Sequence, residues 1–287
     1  MYAIRERERE RVFILLIVLF KTNTIYFYLC RDISQILSLL NQRQKQQVEP
    51  TVAAPSPINK DKYVELKIVD DSKFNYFNKQ DIIDLETKGY LVKDQFLTNT
   101  KDQQEQQQLS IQDIYLECDG LYESKKLKEA NMSRGDGKWN DKSIRSDSLV
   151  WLNKETNKDL QEGRLPNISK LLQRIDNLRI ELNNTINYAS EKTQTQLAIY
   201  PNGGRYVKHC DSFLGGNSRR ITIIYYLNYE WKQQDGGQLR LYDGRNGSTS
   251  DVDPIGDRVL IFLSEHIEHE VLESNCDKRM AITTWLY

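Results

Sequence analysis

The 287-residue sequence has only 3 histidines and 4 cysteines, and no strong excess of either charge. Cys30, Cys118, Cys210 and Cys276 are widely scattered and form no C-x-x-C pair. This argues against a disulfide framework and for a thiol protein of the cytoplasm, with the nucleus as an alternative compartment. With 40 basic and 41 acidic residues there is no dominant basic patch, so no nucleic-acid partner is implied. No apolar run reaches the roughly 20 residues that span a bilayer. The two longest near the N-terminus, residues 12–20 and 25–30, are separated by Lys21-Thr22-Asn23-Thr24. The first has the length of a signal-peptide core, but acidic residues precede it and no clear small-residue cleavage site follows. An accessory apolar segment is expected there, with a short membrane anchor as the alternative.

The few histidines are concentrated. All three lie within residues 196–285, and His209-Cys210-Asp211 is an H-x-D triplet with His269 far downstream. In an extended segment residues i and i+2 point to one side. His209 and Asp211 can therefore present an imidazole and a carboxylate to one point, and His269 from another strand would complete a two-histidine, one-carboxylate face. Such a face leaves metal positions open, as in non-haem Fe(II) oxygenases. Alone, the triplet is common by chance. His266 lies an odd offset from His269 and turns away. Cys210 points opposite to its neighbours and reads as a packed thiol.

The surrounding sequence gives the triplet its weight. Residues 221–228 form a run rich in β-branched and aromatic residues, Asp235-Gly236-Gly237 is a turn, and residues 238–242 and 258–263 read as further short strands. Short strands punctuated by turns predict a mainly β fold, a sandwich or jelly roll. Upstream, residues 78–88 have helical spacing, residues 89–92 read as a strand after a glycine stop, and residues 109–121 form a helical pattern. Residues 169–184 form an amphipathic helix, with Leu171, Leu172, Ile175, Leu178, Ile180 and Leu182 backing the sheet. Residues 41–60 read as a polar, proline-bearing linker. Three regions are expected: 1–60, an apolar segment and linker; 61–190, a supporting region; and 191–287, the core.

Six segments occur in an order and spacing that resemble the 2-oxoglutarate/Fe(II) prolyl 4-hydroxylases, especially their cytoplasmic oxygen-sensing branch, the hypoxia-inducible-factor prolyl hydroxylases. They are Ala198-Ile-Tyr-Pro-Asn-Gly203, Tyr206-Val-Lys-His-Cys-Asp211, Ile224-Tyr-Tyr-Leu-Asn228, Gly236-Gly-Gln-Leu-Arg240, His269-Glu-Val271 and Arg279-Met-Ala-Ile-Thr-Thr-Trp285. The resemblance reaches back to about residue 75. It implies a double-stranded β-helix (jelly roll) core with flanking α-helices, Fe(II) on His209, Asp211 and His269, 2-oxoglutarate as co-substrate, and ascorbate as a further cofactor. Arg279 would hold the distal carboxylate of 2-oxoglutarate, because a guanidinium offers a fork that lysine lacks. Tyr226 would share that carboxylate, Tyr200 would lie beside the co-substrate, Leu239 would form an apolar wall, and Ala281 and Thr283 would line the pocket.

Within Ser143-Ile-Arg-Ser-Asp-Ser-Leu-Val-Trp-Leu152, Arg145 and Asp147 match positions that shape the family's substrate groove. Tyr206 and Trp285 are placed with them, although Tyr206 is equally consistent with simple packing. As a surface ion pair, Arg145 and Asp147 would contribute little. Arg219, next to its equal Arg220, would reach toward Asp147. The implied partners are O2 and a proline-containing protein substrate. Two features depart from the family: Glu268 replaces the usual proline before the distal histidine, and the interval from His269 to Arg279 is one residue longer. Arg279 favours the oxygen-sensing branch over the collagen-type enzymes of the endoplasmic reticulum, where a lysine usually stands. Action on lysine or on a small molecule, and a non-catalytic binding module, are the remaining alternatives.

Overall fold

The computed structural model describes residues 62–68, 72, 74–98, 109–134, 137–139, 141–186, 190–212 and 219–287. All belong to the compact unit Asn59–Tyr287. The apolar N-terminal segment, the linker and the Gln-rich stretch before residue 109 lie outside the described residues. Among the described residues, no helix is long and apolar enough to cross a membrane.

The first helix, α1 (Lys79–Lys88), starts where the sequence says it should. Asn78 accepts from the Asp81 backbone N–H at 3.0 Å, and the Asp81 carboxylate accepts from the Asn78 N–H at 2.7 Å. This reciprocal cap satisfies donors that a helix start leaves orphaned. Gly89 ends the helix at φ 78°, a left-handed conformation that costs glycine little. The chain then enters β1 (Tyr90–Lys93), so Gly89 belongs to the stop and not to the strand.

After α2 (Ile111–Glu123) come β2 (Lys128–Glu129), the hairpin of β3 (Met132–Arg134) and β4 (Gly137–Trp139), and β5 (Ser148–Trp151). The short α3 (Lys158–Gln161) and the long α4 (Pro166–Ile186) complete the first half. The Glu117 carboxylate of α2 accepts from the Asn167 and Ile168 N–H groups, both at 2.8 Å, and so ties α2 to the start of α4. The second half is almost all strand: β6 (Thr193–Tyr200), β7 (Tyr206–His209), β8 (Ile221–Tyr226), β9 (Leu239–Tyr242), β10 (Thr249–Val252), β11 (Val259–Leu263), β12 (Glu268–Val271) and β13 (Arg279–Leu286).

The strands form a seven-stranded sheet, β1-β11-β8-β13-β6-β5-β2, and a four-stranded sheet, β10-β9-β12-β7. Every paired strand is antiparallel. This is the jelly roll expected from short strands with regular turns. β1 and β5, which precede residue 190, are strands of the same sheet as β6, β8, β11 and β13.

The central strands β8 and β11 of the larger sheet are buried on both faces, which explains why they read as continuous apolar runs. Its outer face, including Leu197, Ile223, Tyr225 and Ile282, packs against Ile82, Leu85, Ile114, Ile168, Leu171, Ile175, Leu178 and Leu182 of the helices. Burying each such aliphatic side chain contributes about 1.5–3 kcal/mol. Ile180, expected on this face, is solvent-exposed. The buried spacing 168, 171, 175, 178, 182 leaves position 180 on the far side of the helix. The inner face joins the smaller sheet through Ala198, Tyr200, Ile224, Tyr226, Leu239, Leu241, Leu260, Phe262 and Ala281. The candidate site lies on this inner face.

Candidate active site

Strand alternation sorts β13 into two sets. Met280 and Ile282 join the helix-side core, whereas Ala281 belongs to the inner cluster, and Arg279 shares its parity. Residues 222, 224 and 226 of β8 and residues 198 and 200 of β6 share the inner side. His209 and His269 are register partners across β7 and β12.

His209, Asp211 and His269 form one cluster, with a ligand atom from each within 4.8 Å of the others. The His209 and His269 Nε2 atoms lie 3.9 Å and 3.8 Å from the Asp211 carboxylate oxygens. Each imidazole has Nδ1 against a backbone carbonyl two residues earlier: Val207 O at 2.9 Å for His209 and Ile267 O at 3.2 Å for His269. A donated Nδ1–H in both rings leaves Nε2 as the free lone pair, the tautomer a metal needs.

Asp211 is not on the strand with His209. β7 ends at His209, and Asp211 sits in a bend beyond it. Its place is fixed by a hydrogen bond from Thr222 Oγ1 at 2.7 Å. Thr222 Oγ1 also meets Ser264 Oγ at 2.8 Å. Because an ionised carboxylate only accepts, the single Thr222 proton goes to Asp211, and Ser264 donates to Thr222.

Electrostatics suit this role. Burial, reinforced by His269, pushes His209 down to about 3 and keeps its imidazole neutral. Burial alone would raise the Asp211 carboxyl, but the neighbouring His269 and His209 and the hydrogen bond from Thr222 outweigh it and hold it below its ordinary range. Two imidazoles and one carboxylate form a donor set that fits Fe(II).

Beside this cluster lies a second polar centre. Arg279, fully buried, is the register partner of Tyr200. Its guanidinium carbon is 5.1 Å from the Tyr200 ring centre and 5.3 Å from that of Tyr226. Arg279 Nε donates to the Gly237 carbonyl at 2.8 Å, which aims the fork. Arg279 Nη2 and Tyr226 Oη are buried with no hydrogen-bond partner. Orphaned buried donors are rare in native proteins, and two together fit a missing acidic oxygen. The Tyr226 phenol is pushed up to about 12 by burial, an effect that Arg279 partly offsets, so it stays a donor.

Leu239 is buried in the same inner cluster, and Thr283 is half-buried between Gln196 and Ile224 in register. Gly237 has φ +70°, and a Cβ there would stand 3.3 Å from Arg279 Cγ and Cδ. The residues present therefore fit a dicarboxylate such as 2-oxoglutarate.

Arg145 and Asp147 form a bidentate pair, with Nε–Oδ1 at 2.6 Å and Nη2–Oδ2 at 2.8 Å. Asp147 is buried, so this is not the weak surface pair that the sequence alone left open. Tyr206 stacks on His209, with ring centres 3.7 Å apart. Trp285 is buried with its ring 6.1 Å from Trp151. Arg219 does not reach Asp147. It stands 3.8 Å over the Trp285 ring and bonds Tyr287 Oη and Gln194 Oε1.

His266 is exposed and outside the ligand cluster, as its offset requires. The Cys210 thiol donates to the Ser264 carbonyl at 3.0 Å. Glu268 pairs with Lys208 at 2.7 Å on the rim. Thr222, Ser264 and Phe262, whose ring centre is 4.7 Å from that of His269, were not anticipated. The parity of β8 with Tyr226 carries the signal for Thr222. Ser264 and Phe262 carry none.

Comparison with known proteins agrees with this geometry. Residues 195–287 match the 2OG-Fe(II) oxygenase superfamily. It is 34% identical over 148 residues to human prolyl hydroxylase EGLN3, covering 50% of this chain and 59% of that protein. It is 35% identical over 173 residues to the hypoxia-inducible factor prolyl hydroxylase of Caenorhabditis elegans, covering 58% of this chain and 22% of that one. The match thus spans less than two thirds of either relative.

Among solved structures, a prolyl hydroxylase from Trichoplax adhaerens in complex with a hypoxia inducible factor peptide fragment superposes with a TM-score of 0.59 at 27% identity. That match covers 72% of this chain and 87% of that one. A Pseudomonas putida prolyl-4-hydroxylase gives 0.58 at 25% identity, over 72% and 97% of the two chains.

Proposed function

We propose that this protein is an Fe(II)- and 2-oxoglutarate-dependent dioxygenase that hydroxylates a proline in a protein substrate, in the service of oxygen sensing. The observation that carries the reading is the pair of orphaned buried donors, Arg279 Nη2 and Tyr226 Oη, beside the His209–Asp211–His269 cluster. When bound, iron and 2-oxoglutarate would supply O2 activation, placing one oxygen atom in the substrate C–H bond and the other in succinate, with release of CO2.

The chain's own residues do the rest. His209, Asp211 and His269 hold the metal, and the backbone bonds at both Nδ1 atoms fix the donor atoms. Arg279 and Tyr226 take the distal carboxylate, Tyr200 walls the pocket, and Leu239 and Ala281 keep it apolar. Arg145, Asp147, Tyr206 and Trp285 flank the metal side, where an extended peptide would lie. Ascorbate, the reductant that keeps iron ferrous, belongs to the same reading.

A proline-bearing protein as substrate is supported by the prolyl hydroxylase relatives and by the peptide in the Trichoplax structure. The guanidinium at position 279 agrees with the oxygen-sensing branch. The cytoplasm or nucleus is the proposed place of action, in keeping with the free thiols of Cys118, Cys210 and Cys276.

The test is to incubate the purified protein with Fe(II), 2-oxoglutarate, ascorbate, O2 and proline-containing peptides, followed by mass spectrometry. The expected result is a gain of one oxygen atom on proline with matching succinate. Oxygen found only on lysine or on a small molecule refutes the substrate assignment. Absence of succinate with every substrate refutes the enzyme reading.

A further inference from the structure

We infer that Tyr206, backed by the Arg145–Asp147 pair, is a positioning residue that clamps the His209 imidazole and thereby sets the metal affinity of the site. This rests on the metal-site reading above.

His209 is the least protected of the three metal-site residues. Its side chain is 19% exposed, against 5% for His269 and 8% for Asp211. It also ends β7, an edge strand of the four-stranded sheet. An edge strand lacks a full ladder on one side, and the terminal torsion of a histidine ring is soft. The Nδ1 bond to Val207 O fixes one end of the ring but leaves its faces open to displacement.

Tyr206 covers one of those faces. The two rings stack at 3.7 Å and 20°. In a regular strand residues three apart face opposite sides. Here His209 pairs with His269 and Tyr206 with Val271, so β7 takes three steps where β12 takes two. The extra residue is a bulge in β7, and a bulge re-aims side chains. It explains how two residues at an odd offset come to lie face against face.

Tyr206 is in turn held from the adjoining segment. Arg145 is its bridge partner, and Val207 N–H donates to Ile144 O at 2.9 Å. The Arg145 guanidinium carbon lies 4.8 Å from the Tyr206 ring centre, within cation–π range. Two of its donors are committed to Asp147. Asp147, Arg145, Tyr206 and His209 thus form a continuous line of contacts from a buried carboxylate to the metal site. Contacts that orient a ligand imidazole typically change metal affinity by about 10–100-fold, and a single ring stack supplies at most the low end of that, roughly 3–10-fold.

The experiment uses the full chain and Co(II) as the metal probe, read by visible absorption, with circular dichroism to confirm folding. Tyr206→Phe keeps the ring and is expected to bind Co(II) within about twofold of the parent, with an unchanged absorption band. Tyr206→Leu removes the ring and is expected to bind roughly 3–10-fold more weakly, with a shifted band. The double variant Arg145→Met/Asp147→Leu removes the backing without leaving a buried unpaired charge, and a smaller loss is expected. If Tyr206→Leu does not fold, Tyr206→Met is read in its place. Parent-like Co(II) affinity in the ring-less variant overturns the inference, as does an equal loss in the Phe and Leu variants. Asp211→Ala separates the two readings: Co(II) binding that survives this change refutes the metal site itself, not the clamp.

Discussion

His209 and His269 stand directly opposite each other on β7 and β12, with ring centres 4.3 Å apart at 57°. Both rings turn Nε2 toward Asp211, which sits in the bend just beyond the end of β7. The sheet register thus builds the site, by pairing two short strands far apart in sequence.

From this pairing, Asp211→Ala is expected to lower turnover by at least ~100-fold, because a lost ligand costs more than the 10–100-fold typical of an outer contact. His266→Ala, at an exposed position outside the cluster, is expected to stay within about twofold, as surface substitutions do. Succinate release and metal titration of both variants check this. Equal losses in two folded variants refute the ligand assignment.

Replacing Arg279 with Lys removes the Nε bond to Gly237 O and turns a planar fork into a point charge. The KM for 2-oxoglutarate is expected to rise about 10–100-fold, the size of a lost charged hydrogen bond of about 1.5–3 kcal/mol. Gly237→Ala acts on the same side chain from the other direction. It forces a Cβ against Arg279 at a positive φ, and a raised KM is expected there too. An unchanged co-substrate dependence in both variants places the carboxylate elsewhere.

A pH effect on stability is expected at Asp243. Arg245 binds its carboxylate through two nitrogens, Tyr63 Oη donates to it at 2.7 Å, and the Arg245 bonds hold its pKa well below the ordinary range. A depressed carboxylate adds stability that is complete above the unfolded pKa near 4 and is lost as pH falls below it. The partly exposed setting limits the contribution to about 1–2 kcal/mol. Asp243→Asn is therefore expected to lower the melting temperature at pH 7, with the gap to the parent beginning to narrow below about pH 4 and narrowing further as pH falls toward the depressed folded-state pKa. A gap as large at pH 3 as at pH 7 assigns the effect to something other than charge.

A chain beginning at Asn59 is expected to fold and to keep the parent's turnover, because all described strands and helices lie within Asn59–Tyr287. Removal of residues 1–58 followed by thermal melting and a succinate assay checks this. Loss of the cooperative melt shows that the apolar N-terminal segment contributes to the core.

Much of the fold was legible because the relevant signals are local. Asn78 with Asp81 marks a helix start, Gly89 a stop, and the branched and aromatic run at 221–226 a strand. Periodicity failed where a pattern was read too broadly: Ile180 is apolar, yet it lies off the buried stripe of α4. The ligand types were also legible, since three histidines leave few choices.

By itself the sequence determined which donors are available, which strands alternate, and which side of β13 carries Arg279, because parity along a strand is a property of covalent geometry. It did not determine who stands next to whom. That Thr222 holds Asp211, that the Gly237 carbonyl aims Arg279, and that Arg219 goes to Trp285 and not to Asp147 depend on which strands pair and in what register. The β7 bulge is the clearest case. Alternation puts Tyr206 and His209 on opposite faces, and one extra residue against β12 brings their rings together. Register arises from the packing of two whole sheets, so only the tertiary structure decides it.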